Sequence, residues 1–160
     1  MEGHAATRTF PHVGMDPKTA PILKEMQRHD GRPVVIDDVQ ISFLTGKKAN
    51  DPVLKEGPLT IGFASQNQGP KIGPEFTFGI YMNKFLNEPF LIIKTAWGGK
   101  SLFKDFLSPS GTSERKGEQT GVYYKKMIEH IRKVLEKPSA VHPKFNINDG
   151  YEIAGFVWFQ

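Results

Sequence analysis

The chain has 160 residues, which fits one domain spanning residues 1–160, and its formal net charge is +4. It contains no cysteine, which excludes disulfides and thiolate metal sites. Its basic residues are scattered among acidic ones, with no basic stripe interleaved with aromatics, which argues against nucleic-acid binding. No apolar run approaches the roughly 20 residues that span a bilayer, and residues 1–4 lack the basic and apolar parts of a signal peptide, so the sequence predicts no membrane partner.

The first half of the chain predicts one short helix and a few strands between loops. Apolar residues on one face, a capping threonine and a proline in the first turn favour the helix, and alternation of apolar and polar residues favours the longer strand. The predicted segments are, in chain order, a loop at 1–18, a helix from Thr19 to His29, strands at Val34 to Ile36 and Val39 to Leu44, and a loop at 47–73 with one short strand candidate at Leu59 to Phe63.

The second half predicts two helices alternating with two buried strands. The strands are continuous apolar runs, and the second helix repeats apolar residues every three to four positions. The predicted segments are a helix from Pro74 to about Leu86 with Glu75 in its first turn, a strand at Phe90 to Ile93, a sharp break at Gly98-Gly99, an irregular stretch from Phe103 to Gly117, a helix from Gln119 to Lys137, and a strand at Ile153 to Phe159.

This alternation of helix and buried strand is typical of βαβ units, and it predicts an α/β fold with a mainly parallel sheet. Functional sites of such sheets lie beyond the carboxyl ends of the strands. Gly98-Gly99 and Gln160 each follow one of the two predicted buried strands. We therefore expect a shared site near these residues.

Four short blocks resemble, in the same order, the active-site blocks of one enzyme family. The blocks are Met1-Glu2-Gly3, Gly73-Pro74-Glu75, Trp97-Gly98-Gly99-Lys100-Ser101-Leu102 and Trp158-Phe159-Gln160. Over essentially the whole chain they are similar to those of sialate O-acetylesterase-like carbohydrate esterases, a branch of the SGNH (GDSL) hydrolase superfamily. The resemblance implies a three-layer, flavodoxin-like α/β fold with a mainly parallel sheet, present in part, in an internal piece of such an enzyme.

The resemblance also implies a serine-dependent O-acetylesterase that acts on an acetylated sugar. The oxyanion formed during ester hydrolysis would be held by the backbone N–H of Gly98 or Gly99 and by the side-chain amide of Gln160. The family's nucleophilic serine would align two positions upstream of Met1, and its Asp-x-x-His base segment does not occur in this chain. The chain alone is therefore expected to have little or no esterase activity.

The remaining site residues implied by the resemblance would contact substrate or hold the loops around it. They are His4, Glu75, Trp97 and Lys100. No metal or organic cofactor is implied, and the parent enzyme is expected to be secreted or periplasmic by resemblance.

Other interpretations of the same blocks stay open. Gly98-Gly99 is also consistent with an ordinary turn, because glycine tolerates positive φ. A phosphate-binding loop at Gly99-Lys100-Ser101 lacks its first glycine, since position 94 is a lysine. A carbohydrate-binding module without catalysis could use three aromatic side chains as stacking platforms, and a degenerate remnant of the esterase is a further alternative. The three platforms are Trp97, Trp158 and Tyr81.

The remaining serines and histidines predict structural or surface roles. Ser65, Ser101 and Ser108 are expected to be structural hydroxyls, since none lies in a Gly-x-Ser-x-Gly elbow. The histidines other than His4 are expected at the surface. They are His12, His29, His130 and His142.

Overall fold

The computed structural model describes residues 2–65, 69–115 and 117–159, and within these ranges the chain is an α/β protein with two sheets and five α-helices. Short 3-10 turns cover Thr7–Thr9 and Pro138–Ala140. The elements are β1 (Ala5–Ala6), α1 (Phe10–Val13), α2 (Ala20–Met26), β2 (Ile36–Lys48), β3 (Asp51–Leu59), β4 (Lys71–Ile72), α3 (Pro74–Leu86), β5 (Phe90–Thr95), α4 (Pro109–Ser113) and α5 (Val122–Glu136).

The main sheet has the order β3-β2-β5 and is mixed. β2 runs antiparallel to β3 and parallel to β5, so that Phe43 lies opposite both Lys55 and Lys94. A separate antiparallel pair joins β1 to β4. The predicted α/β class is confirmed, whereas the main sheet is mixed rather than mainly parallel.

The antiparallel hairpin of β2 and β3 replaces the first part, up to Leu59, of the loop that the sequence predicted at 47–73. A two-residue connection, Ala49-Asn50, joins the strands, with Lys48 paired to Asp51. Pro52, Gly57 and Pro58 suggested a loop, yet they lie on an edge strand, where a missing N–H on the outer side breaks no sheet hydrogen bond.

Helices pack on both faces of this sheet. Val39 of β2 is fully buried in a core that includes Phe76 and Ile80 of α3. On the opposite face, Ser42 of β2 contacts His130 of α5. Successive strand residues alternate between faces, so α3 and α5 lie on opposite sides of the central strand.

The predictions for the two long helices are confirmed. α3 begins at Pro74 with Glu75 in its first turn and ends at Leu86. α5 covers most of the predicted range, whereas α2 is shorter than predicted. No helix in the described ranges is long and apolar enough to cross a lipid bilayer.

The predicted buried strand at Ile153 to Phe159 is wrong in this structure. Residues 151–159 form no helix or strand, and Phe156 keeps 70% of its surface exposed. An apolar run forms a buried strand only when a neighbouring strand supplies hydrogen bonds and cover, and in the described ranges no strand pairs with this segment. Gln160 lies outside the described residues. Of the two predicted buried strands, only β5 forms within the described ranges, and it leads toward Gly98-Gly99.

Candidate functional site

A cleft of about 1960 Å³ opens along β5 and the turn that follows it. Its lining includes β5 with residues 96–100 and the segment 149–159. At the carboxyl end of β5, four segments meet in what we call the strand-end site, which comprises residues 2–4, 73–75, Lys94 and 97–100. Three of these segments come from the blocks that carry the esterase resemblance.

A buried ion pair forms the base of the strand-end site. Lys94 Nζ lies 2.6 Å from Glu75 Oε2, and the side chains are only 10% and 5% exposed. The other oxygen of Glu75 accepts a hydrogen bond of 2.9 Å from the Gly73 N–H. Both carboxylate oxygens therefore have a partner within the protein, and Glu75 joins the start of α3 to β5.

Lys94 also ties the N-terminal segment to the site. Its ammonium donates to the carbonyl of Glu2 at 2.9 Å and to the carbonyl of Phe63 at 2.7 Å, and it lies 4.6 Å from the centroid of the Phe43 ring. Burial lowers the pKa of Lys94, and the carboxylate of Glu75 opposes that shift. The three N–H donors of the ammonium are all satisfied.

The carboxylate of Glu2 lies beside the glycine turn. It accepts a hydrogen bond of 3.0 Å from the Thr45 hydroxyl, and its second oxygen is 3.9 Å from His4 Nε2. A Cβ built on Gly98 would lie 3.4 Å from that second oxygen, whereas a Cβ on Gly99 would meet nothing within 4 Å. Gly98 therefore faces a negative charge, and Gly99 faces open space.

The turn at Gly98-Gly99 leaves backbone donors available. The last bond that continues the β2–β5 ladder runs from the Ala96 N–H to the Leu44 carbonyl at 3.1 Å. Gly99 has a φ of +68°, a left-handed conformation that favours glycine. Within the described ranges, neither Gly98 nor Gly99 donates its N–H to a protein acceptor.

Trp97 belongs to an aromatic cluster and is not an open platform. It is only 7% exposed, and its ring centroid lies 5.0 Å from that of Tyr123 and 6.0 Å from that of Phe106. Its indole N–H is buried without a hydrogen-bond partner in the described part of the chain. Lys100 Nζ lies 5.0 Å from the centroid of the Tyr123 ring, on the far side of the turn.

His4 is exposed at the mouth of the site. Its Nδ1 lies 3.5 Å from Lys71 Nζ. The structure thus brings His4, Glu75 and Gly98 together at the carboxyl end of β5. Trp97 and Lys100 belong to the same turn, and both contact Tyr123. Gln160, the second predicted oxyanion donor, lies outside the described residues.

Each serine that was predicted to be structural contacts the protein through its hydroxyl or its backbone N–H. The Ser101 hydroxyl lies 3.4 Å from Asp105 Oδ2, and its backbone N–H donates to the same oxygen at 2.9 Å. The Ser108 hydroxyl accepts from the Gly111 N–H and caps α4. Ser65 is buried, and its backbone N–H donates to the Gly3 carbonyl.

Two of the histidines predicted at the surface are buried, so that prediction is wrong for His130 and His142. His142 Nε2 lies 3.3 Å from the Asp38 carbonyl, while its Nδ1 accepts from the Lys144 N–H. His12 and His29 are exposed, as predicted.

His130 forms a second buried polar network, between α5 and the β2–β3 hairpin. Its Nε2 lies 3.2 Å from the Ser42 hydroxyl and 3.4 Å from the Ser42 carbonyl, and the hydroxyl donates to Glu56 Oε1 at 2.7 Å. Because a carbonyl only accepts, Nε2 carries the proton. His130 therefore cannot act as a base toward Ser42 through this nitrogen, and Ser42 is fully buried.

Sequence reasoning missed Lys94 as a member of the site, and it assigned no role to Glu2 or to Thr45, which donates to Glu2. A lone lysine inside an otherwise apolar strand is the signal that could have identified Lys94, because a buried lysine needs an acidic partner.

Within the described ranges, the structure contains no group of three or more histidine or carboxylate side chains placed to hold a metal ion. Neither the protein-family models, nor the curated proteins, nor the solved structures searched contain a match to this chain.

Proposed function

We propose that the strand-end site is the oxyanion-stabilising part of a serine-dependent esterase that removes acetyl groups from sugars. One observation carries the proposal. Residues 2–4, 73–75 and 97–100, which are far apart in sequence and are the blocks that resemble the esterase family, converge at the carboxyl end of β5. Convergence of separate segments at a strand end is how α/β proteins build their sites.

The proposed role of the glycine turn follows from charge. Ester hydrolysis passes through a tetrahedral oxyanion, which an unpaired backbone N–H stabilises. Glu2 disfavours an anion beside Gly98, so we assign the donor to Gly99, whose surroundings are open. Gln160 would be the second donor. The proposal assigns neither the nucleophile nor the base to this chain, so the chain alone would bind substrate without hydrolysing it.

The finer fold assignment belongs to the same proposal. Helices on both faces of the sheet and the parallel pairing of β2 with β5 support an SGNH-type arrangement. The antiparallel β3 is a departure from its mainly parallel sheet.

The proposal is tested by titrating the chain with an O-acetylated sialic acid and with its deacetylated form, alongside an assay of aryl acetate hydrolysis. We expect tighter binding of the acetylated sugar and no turnover above buffer. Gly99→Ala should weaken binding, because it adds strain at a left-handed position of the site. Gly117→Ala is the matched control, since Gly117 is also left-handed with open surroundings.

Turnover that disappears in Ser101→Ala would place the nucleophile inside the chain and overturn the proposal. Equal binding of both sugars would instead favour a carbohydrate-binding cleft without catalysis. That second function is supported by Tyr81 and Trp158, which line the cleft and are 47% and 39% exposed. Trp97 is too buried to serve as the third platform that the sequence suggested. Loss of binding in Trp158→Ala would support this second function.

A further inference from the structure

The two edges of the main sheet are built differently. The outer strand β3 carries prolines, a glycine and charged side chains, which block pairing with another strand. These residues are Asp51, Pro52, Lys55, Glu56, Gly57 and Pro58.

The β5 edge has none of this protection. Its sequence begins Phe90-Leu91-Ile92-Ile93, and its one charged residue, Lys94, is held in the buried ion pair. In the described ranges β5 pairs only with β2, so its other side presents backbone donors and acceptors to the cleft. An apolar edge that has no proline and whose one charge is already paired is suited to receive another strand.

A segment suited to this edge also lines the cleft. Residues 153–159 lack proline and charge, and every one of them lines the cleft. Ile153, Phe156 and Val157 are more than half exposed. Exposed apolar runs of this kind are unfavourable in water unless something covers them.

The course of the chain brings this segment to the β5 edge. After β5 the chain forms α4 and then α5, which contacts both β5 and β2, and the residues that follow α5 line the cleft as far as Phe159. A strand, a helix on one face and a second strand make a crossover unit, and such units place the second strand parallel to the first.

We propose that the β5 edge is a strand-docking surface and that its occupant is residues 153–159 of the same chain, which close over the cleft as a fourth strand parallel to β5. The open cleft, about 1960 Å³, exceeds the roughly 300–1,000 Å³ of small-molecule pockets, and closure reduces it. Closure also covers the exposed apolar side chains of the segment. This inference does not depend on the proposed esterase function.

The absence of cysteine from the chain allows a direct test in the full 160-residue protein. Ile93→Cys is combined, in separate variants, with a cysteine at Gly155, Phe156 or Val157, and each dilute protein is mildly oxidised. Disulfides form only when the two Cα atoms come within about 7 Å. We expect at least one of these pairs to form an intramolecular disulfide rapidly.

The matched control places the first cysteine at Leu54, which is exposed on the protected β3 edge. We expect no intramolecular disulfide from Leu54 to any of the three partner positions. The proposal is overturned if no Ile93 pair reacts faster than its Leu54 counterpart. It is also overturned if only disulfides between two chains form, which would make a second copy the occupant.

Amide hydrogen exchange on the unmodified chain gives a second readout that needs no variant. Strand pairing should slow exchange within 153–159 by at least about tenfold relative to an unstructured peptide. Val157→Pro, which cannot donate to a sheet ladder, should restore fast exchange around it. Peptide-like exchange throughout 153–159 in the unmodified chain would contradict closure.

Discussion

At the scale of single residues, the strand-end site depends on one buried ammonium. The three acceptors of Lys94 come from three different segments, so this side chain joins the N-terminus, the loop after β3 and the start of α3. Removing one partner of such a buried ion pair is costly, because the remaining charge keeps its desolvation penalty and loses its partner.

Lys94→Met is therefore expected to lower the free energy of unfolding by about 3–5 kcal/mol, since it leaves Glu75 buried and unpaired. Urea denaturation of both proteins measures the difference. Lys84→Met is the control, because Lys84 pairs with Glu25 at the surface, where an ion pair contributes about 0–1 kcal/mol. Similar losses in the two variants would show that Lys94 does not hold the site together.

His130 makes the stability of the fold depend on pH. Burial lowers the pKa of His130 below its usual 6.5, although the Ser42 carbonyl and Glu56 oppose the shift. As the pH falls below 6.5, the unfolded chain takes up a proton that the folded chain still excludes, so folding loses stability through this group.

We expect the unfolding free energy to fall from about pH 7.5 to 5.5, and we expect His130→Leu to reduce that slope. Urea midpoints across this range measure it. His12→Leu, at an exposed position, should leave the slope unchanged. An unaltered slope in His130→Leu would assign the pH dependence to other groups.

The spacing of residues in α5 indicates that His130 is buried, although the prediction placed it at the surface. Tyr123, Met127, His130 and Val134 are spaced by three or four residues and are all buried on one face of α5. Helix geometry alone therefore places His130 on the packed side, where its ring needs polar partners. Those partners, Ser42 and Glu56, lie more than 70 residues away along the chain, so no local pattern could identify them.

At the scale of elements, the three longest helices were predictable, whereas the hairpin and the short helices α1 and α4 were not. The start of α3 is marked by Pro74 and an acidic first turn, and these are local signals. β3 contains residues that normally break strands, and only its position at the sheet edge makes them acceptable. Whether a strand is central or at an edge depends on tertiary structure, which explains the wrong prediction.

The packing of α3 against the sheet gives a prediction with a control on the same helix. Phe76 is fully buried and stacks on Phe10 with 6.4 Å between ring centroids, whereas Phe85 is 81% exposed. Phe76→Ala should lower the free energy of unfolding by about 3–5 kcal/mol, because it leaves a cavity in the core. Phe85→Ala should change it by less than about 0.5 kcal/mol in the same urea experiment. Equal effects would contradict the assigned inward face of α3.

At the scale of the whole molecule, the α/β class followed from the sequence, but the arrangement of strands did not. The apolar runs at Phe90 to Ile93 and Ile153 to Phe159 are equally strand-like in sequence, yet in the part of the chain that the structure describes only the first has a neighbouring strand, β2. Strand propensity reports how well a residue fits a sheet, and pairing decides whether the sheet forms there. The strand-end site could be located near Gly98-Gly99 and Glu75, but the buried Lys94 that pairs with Glu75 could not.

The difference between the two sheet edges leads to a prediction about association. If residues 153–159 cover the β5 edge, then a chain ending at Glu152 should expose that edge and self-associate as its concentration rises, whereas the full chain should associate less. Sedimentation velocity over a concentration series measures this. Thr95→Lys, which places a charge on the exposed edge, should return the shortened chain toward the monomer. Leu54→Lys, on the β3 edge, should have no such effect, because prolines and charges already protect that edge.

A shortened chain that stays monomeric would mean that the β5 edge does not attract strands. Equal rescue by both lysines would mean that net charge, rather than edge pairing, controls association.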